Sequence, residues 1–278
     1  MTASRYKTPE NFLFAYHTSR GESMPGPDAF QWLRSCAERG FQVSADSFEY
    51  AGTLLNRATI DVDDVAENFL GLDLFLNDLR GLDSAADAPV FGFAKPSSGT
   101  INVCFRAEAY RPLYRSTVMH EVAHMMLHAE GRQTTLRYSP NSKMRPKVER
   151  EADRFMAETL LPKSILYLAI VLASQSTGIE SGEAFRGANT RRGHWQWRHI
   201  FFPFFLNRLC LSRELVALRM LELGAFSRET LGHHKTYPIP NRWRRPVDLA
   251  LGAIARDAFD SLSGIKSNSM RARSQREK

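Results

Sequence analysis

The sequence predicts an α+β protein that is mainly helical and has one small β-sheet or hairpin. Apolar residues recur at helical spacing along most of the chain, which is typical of amphipathic helices. Two strand-like runs, 89–93 and 100–105, flank a Lys-Pro-Ser-Ser-Gly segment with turn chemistry, so we predict a β-hairpin there. A leucine-rich stretch is also preceded by Ser212, a residue type typical of helix N-caps, and followed by Gly224, a residue type typical of helix C-caps.

The elements can be predicted in chain order. Residues 1–25 are mixed and rich in small or polar side chains, so we expect a loosely packed lead-in. The spacing then predicts helices over 27–40, 45–56 and 61–70, a short strand over 72–75, the hairpin, helices over 112–129 and 146–161, and a helix starting at Ser212. The segment 178–193 is rich in Gly, Ser, Thr and Arg, which predicts a linker or mobile loop.

These elements suggest four regions. We predict an N-terminal helical extension over 1–57, a core over 58–175, a helical C-terminal region over 176–265 and a disordered basic tail over 266–278.

The composition narrows the class of protein. A net charge of +7 permits an acidic or nucleic-acid partner but does not indicate one. The three cysteines are far apart and form no C-x-x-C pair, which argues against a disulfide framework or a cysteine zinc site. Met1 is followed by no apolar secretory segment, and the longest apolar run, 165–173, is about half of a bilayer span. We therefore expect a cytoplasmic protein without a membrane segment.

The segment that most strongly indicates a catalytic metal site is His120-Glu121-Val122-Ala123-His124, on the predicted 112–129 helix. Two histidines four residues apart project from one helix face and can share a tetrahedral zinc ion. Glu121 beside them suits a general base for water activated by the metal. Apolar neighbours surround this trio, which is unusual for a solvated helix and costly for unpaired polar groups.

A catalytic zinc site needs a third protein ligand and an open position. The next helix offers Glu149 and Glu151, which lie roughly 200° apart around the helix axis, so only one can face the metal. Glu151 adjoins Ala152 and Phe155 on the apolar side, so we predict Glu151 as the ligand and keep Glu149 as the alternative. Asp153 is predicted to be a hydrogen-bond partner of a ligating histidine.

Two further residues of the predicted 112–129 helix each have more than one possible role. His128 lies one turn beyond His124 and can be a ligand, a donor at the substrate site or a packing residue; we favour the non-ligand roles. Thr117 either orients a histidine or contributes to local packing. Two imidazoles and one carboxylate suit zinc, although they do not exclude another divalent metal.

This arrangement resembles the ImmA/IrrE family of metallopeptidases. Segment 114–128 is similar to the family's Arg and Thr before H-E-x-G-H with a trailing His, and segment 151–162 to its E-A-x-x-F-A-x-x-L-L-x-P. Weaker likeness is found at 61–66, 70–72 and 101–103, so the resemblance covers roughly 58–165, and more loosely 209–224. Two features depart from the pattern: Ala123 replaces the usual Gly, and neither 1–57 nor 163–208 has a clear counterpart.

The resemblance implies a zincin-like metallopeptidase core with Zn²⁺ held by His120, His124 and Glu151 and with Glu121 as the base. It also implies a zinc endopeptidase that cleaves a helix-turn-helix repressor in stress-response, phage or mobile-element regulation. The alternative is a non-proteolytic metal-containing regulator that binds a repressor or nucleic acid. This alternative is supported by basic residues that lie near aromatic ones in the sequence, as in nucleic-acid-binding surfaces: Arg191, Arg192, Arg198, Arg208, Arg213 and Arg242-Trp243-Arg244-Arg245. Such residues also occur as solvated charges beside a core tryptophan.

Overall fold

The computed structural model describes residues 6–39, 44–79, 90–128, 147–179 and 191–223. Its helices are α1 (Pro9–Ser19), α2 (Pro25–Glu38), α3 (Ala45–Arg57), α4 (Val62–Asp64), α5 (Phe105–Glu108), α6 (Arg111–Leu127), α7 (Lys147–Leu160), α8 (Lys163–Ser176), α9 (Arg191–Gln196), α10 (Phe202–Leu209) and α11 (Arg213–Glu222). The segments Val65–Phe69 and Trp197–Phe201 continue α4 and α9 as π-helical turns. The described chain is therefore α+β and mainly helical, as predicted.

Three strands form the sheet: β1 (Asp73–Asn77), β2 (Gly92–Lys95) and β3 (Thr100–Cys104). Their spatial order is β1-β3-β2, with β3 parallel to β1 and antiparallel to β2. The turn between β2 and β3 contains a short 3₁₀ helix, Pro96–Ser98, and Gly99 with a φ of 68°. A left-handed φ is readily adopted by glycine, which explains why this segment turns. The predicted hairpin is confirmed.

The N-terminal segment differs from the prediction, because α1 is part of the core. Pro9 stands in its first turn, and the Thr8 hydroxyl accepts a hydrogen bond from the Asn11 amide at 3.3 Å. The face of α1 that carries Phe12, Leu13 and Tyr16 is buried. The expectation of a loosely packed lead-in is thus wrong over α1, since these residues supply a capped start and an apolar face.

Helices α6 and α7 pack against each other; α6 also packs against β2 and β3, and α7 against α1. Helix α8 contains the longest apolar run of the sequence, and its residues Ile165–Ala173 are buried except Tyr167. One cluster of buried apolar residues extends from α1 to α11. The predicted region boundaries remain predictions.

Buried Arg115 of α6 connects distant parts of the chain. Its guanidinium donates to the backbone carbonyl oxygens of Ile60 at 3.2 Å and Leu209 at 3.1 Å. These two carbonyl partners offset part of the cost of burying a cation. This contact fixes α6 relative to the segment before α4 and to the end of α10.

The predicted helix after Ser212 is confirmed as α11, with the Ser212 hydroxyl accepting from the Leu215 amide at 3.2 Å. Predictions for Gly224, most of 178–193, 242–245 and the tail fall outside the described residues. Within the described part of the chain, no single helix is long and apolar enough to cross a membrane; α7 and α8 reach that only together, across a 49° bend.

Candidate metal centre

Helix α6 places both histidines of the H-E-x-x-H segment side by side. The Nε2 atoms of His120 and His124 are 3.1 Å apart, as expected for residues one turn apart on one face. Val118, Met119, Val122 and Ala123 are buried around them, which fixes the rotation of α6 in the core. The side chain of His124 is almost fully buried, while that of His120 is 15% exposed.

Glu149 of α7 completes a three-residue group. Its carboxylate oxygens lie 3.4 Å from His120 Nε2 and 3.3 Å from His124 Nε2. All three ligand atoms are within 4.8 Å of one another, so the group could hold a metal ion. Three atoms bound tetrahedrally to zinc at about 2.0–2.1 Å would be separated by about 3.3–3.4 Å. The spacing and the donor types therefore fit a zinc ion.

The pKa of Glu149 is consistent with a ligating carboxylate. Burial alone would raise this pKa, but hydrogen bonds and charge interactions with His120 and His124 outweigh burial and hold it well below its usual range. The ionised form, which binds metal, is therefore favoured.

The structure places Glu149, and not the predicted Glu151, beside the two histidines. Glu151 lies on another side of α7, where its side chain is 42% exposed and contacts His128 at 3.2 Å and Lys147 at 3.4 Å. The side of α7 that meets α6 carries Glu149, Ala152, Asp153 and Met156, all of them buried. Both glutamates adjoin apolar residues, so proximity to Ala152 and Phe155 did not identify the inward side.

A signal for Glu149 was nevertheless present in the sequence. Glu149 and Asp153 are four residues apart and lie about 40° from each other around the helix, whereas Glu151 and Asp153 are about 200° apart. A straight helix cannot direct both Glu151 and Asp153 at one site. The predicted role of Asp153 thus implied Glu149 as the ligand.

Asp153 has the predicted position beside a ligand histidine. Its Oδ1 atom is 3.0 Å from Nδ1 of His120, on the ring side opposite Nε2. A carboxylate there keeps the proton on Nδ1 and leaves the Nε2 lone pair for a metal. His128 contacts the other ligand: its Nδ1 is 3.1 Å from Nδ1 of His124. His128 is absent from the three-residue ligand group found among the described residues, in line with the favoured non-ligand roles.

Glu121 is buried directly beside this group. Removal from water raises its pKa to about 7, and the nearby Glu149 charge adds to this, against opposing effects of His120 and a hydrogen bond from the Ala94 backbone amide. A carboxyl group with a pKa near neutrality is suited to accept and return a proton. A cation held by the three ligands would lower this pKa, because positive charge favours the carboxylate.

Gly92 of β2 is a site residue that the sequence reasoning missed. A Cβ atom at this position would lie 2.6 Å from Thr117 Cγ2 and 3.3 Å from Glu121 Cγ. Only a residue without a side chain lets the strand come this close to α6. The methyl group of Thr117 faces this contact, which supports the packing role for Thr117. A single glycine in a strand pattern was the available signal.

The basic residues of the alternative hypothesis are described only in part. Arg192, Arg198 and Arg208 are exposed, and the guanidinium of Arg213 lies over the ring of Phe202 at 5.2 Å. Trp195 is also exposed, whereas Trp197 is buried in the core. The exposed members of this set, Arg192, Arg198 and Arg208, form part of the protein surface.

Comparison with known protein families finds a match to the central part of the chain. Residues 101–175 match the family model of the IrrE N-terminal-like domain, a peptidase family. No curated protein and no solved structure matches the chain. The matched range contains most of β3, all of α5, α6 and α7, and most of α8. It therefore includes His120, Glu121, His124 and Glu149. Residues 101–175 are therefore similar to the IrrE N-terminal-like domain, which supports the resemblance to the ImmA/IrrE family.

Proposed function

We propose that this chain is a zinc-dependent endopeptidase that hydrolyses peptide bonds of a protein substrate. The observation that carries this proposal is the convergence of His120, His124 and Glu149 at ligand spacing, with Glu121 buried beside them. The peptidase family of residues 101–175 supports it.

Each group of the site has a separate role in the proposed hydrolysis of a peptide bond. A bound zinc ion would supply Lewis acidity for the scissile carbonyl and for the attacking water. Glu121, buried beside the three-residue group, would take the proton from that water and return it to the leaving amine. Asp153 holds His120 in the tautomer that binds metal through Nε2.

The proposed substrate is a helix-turn-helix transcriptional repressor, cleaved in stress-response, phage or mobile-element regulation. This part rests on the resemblance to the ImmA/IrrE family. A repressor acts on chromosomal DNA, so the proposed compartment is the cytoplasm.

The test uses the full chain, a helix-turn-helix repressor encoded next to its gene, and mass spectrometry of the products. We expect cleavage with zinc, none after chelation, and a fall of about 100–10,000-fold for Glu121→Gln, the usual contribution of a general base. Glu108→Gln, the same change on the exposed surface of α5, is the matched control and should cleave at the wild-type rate.

Two outcomes would refute proteolysis by this site. One is cleavage by Glu121→Gln at the wild-type rate. The other is a Glu121→Gln protein that keeps zinc and still relieves repression in cells without cutting the repressor. The second outcome would instead support the non-proteolytic regulator.

A further inference from the structure

We propose that His128 and Glu151 are positioning residues for the ligand His124, acting as a chain of hydrogen bonds from a surface carboxylate to the buried imidazole. The proposal rests on the metal-binding part of the proposed function, and not on proteolysis.

The chain of contacts crosses from α6 to α7. His124 Nδ1 lies 3.1 Å from His128 Nδ1, and His128 Nε2 lies 3.2 Å from Oε2 of Glu151. The His128 amide also donates to the His124 carbonyl at 3.0 Å, at the last turn of α6. The backbone thus fixes the spacing of the two rings.

One arrangement of protons satisfies every contact once His124 binds metal. Its Nε2 lone pair faces Glu149 and His120, so its proton is on Nδ1 and is donated to Nδ1 of His128. The remaining proton of His128 is then on Nε2, directed at the Glu151 carboxylate. Each link has one donor and one acceptor, and the chain ends on an ionisable acceptor.

The two ligand histidines are therefore supported differently. His120 meets the carboxylate of Asp153 directly, and that side chain is only 10% exposed. His124 reaches its carboxylate through a second imidazole, and the Glu151 side chain is 42% exposed. His128 and Glu151 also line an open cavity of about 520 Å³ between α1, α6 and α7. The geometry of His124 thus depends on groups at the protein surface.

The test measures zinc affinity of the full chain by competition with a chelator, without substrate. Loss of an outer hydrogen-bond partner weakens metal binding by about 10–100-fold, so we expect such a rise in Kd for His128→Ala and a rise near 10-fold for Glu151→Ala. Glu10→Ala is the matched control, because Glu10 is an exposed glutamate of the same cavity, and its Kd should equal that of the wild type.

A spectroscopic readout separates positioning from a general loss of structure. With Co²⁺ in place of zinc, His128→Ala should shift the visible bands, which report ligand geometry. His128→Asn places an oxygen near the position of Nδ1, so it should move the bands and the Kd back towards the wild type. Since Glu151 is well exposed, its variant tests the chain even where His128→Ala unfolds.

Equal zinc affinities of Glu151→Ala and Glu10→Ala would overturn the proposal. So would unchanged cobalt bands in His128→Ala. Neither measurement uses a peptide substrate, so both remain valid if the protein is not a protease. An error in the proposed activity is therefore distinguishable from an error in the proposed chain of hydrogen bonds.

Discussion

At the scale of single residues, Gly92 controls how closely β2 approaches α6. The space beside its Cα is already filled by Thr117 Cγ2 and Glu121 Cγ. A protein interior is close-packed, so an added methyl group forces the strand or the helix to move. The amide of Ala94, two residues further along β2, is hydrogen-bonded to Glu121 and would move with the strand.

We therefore expect Gly92→Ala to lower the free energy of unfolding by about 1–3 kcal/mol and to reduce activity. Urea unfolding of each variant measures this. Thr117→Ser removes the methyl group in the clash and costs only about 0.8 kcal/mol by itself. The double variant should recover at least about 0.5 kcal/mol relative to additivity.

Gly52 provides the control for this prediction. It lies within α3 and has no atom within 4 Å of an added Cβ, so Gly52→Ala should stabilise the protein by about 0.5–1 kcal/mol. Strict additivity of Gly92→Ala and Thr117→Ser would show that these two side chains do not compete for space.

At the scale of elements, α1 is held by its apolar face and belongs to the core. The ring of Phe12 is fully buried and meets Phe155 of α7 at a centroid distance of 5.4 Å in an edge-to-face arrangement. Because α7 also carries Glu149, the packing of α1 supports the helix that completes the metal centre.

Phe12→Ala should therefore lower the free energy of unfolding by about 3–5 kcal/mol, as for other buried phenylalanines. Phe14 lies on the same helix but is 62% exposed, so Phe14→Ala should change stability by less than about 0.5 kcal/mol. Denaturant unfolding of both variants checks this. Similar losses for the two would indicate that α1 is not docked as described.

At the scale of the whole molecule, we expect metal binding and folding to be linked, because the three proposed ligands come together only in the folded chain. His120 and His124 lie on α6, and Glu149 is contributed by α7. A ligand that binds only the native state stabilises it according to its free concentration and Kd.

At a zinc concentration about 100-fold above Kd the stabilisation is about 2.7 kcal/mol. For a chain of 278 residues that corresponds to a rise in Tm of about 5 °C over the chelated protein. Glu149→Ala should abolish most of this rise, whereas Glu121→Gln should keep it although it lacks the base. Calorimetry with and without chelator measures both, and a full rise in Glu149→Ala would reject Glu149 as a ligand.

The sequence by itself determined the local features of this protein. The hairpin follows from turn residues between two short strands, α6 follows from helical spacing, and α11 follows from helical spacing and the Ser212 cap. The pairing of His120 with His124 also belongs here, because four residues on one helix always bring two side chains onto one face. These features depend on neighbours in the chain.

Only the tertiary structure decided which surfaces meet. Glu149 and Glu151 both adjoin apolar positions, and the rotation of α7 against α6 selected Glu149. The docking of α1, the close approach of Gly92 and the link from His124 to Glu151 likewise join separate elements. Such contacts result from the packing of a whole core, since a helix that is apolar on adjoining sides does not specify which side its partner will cover.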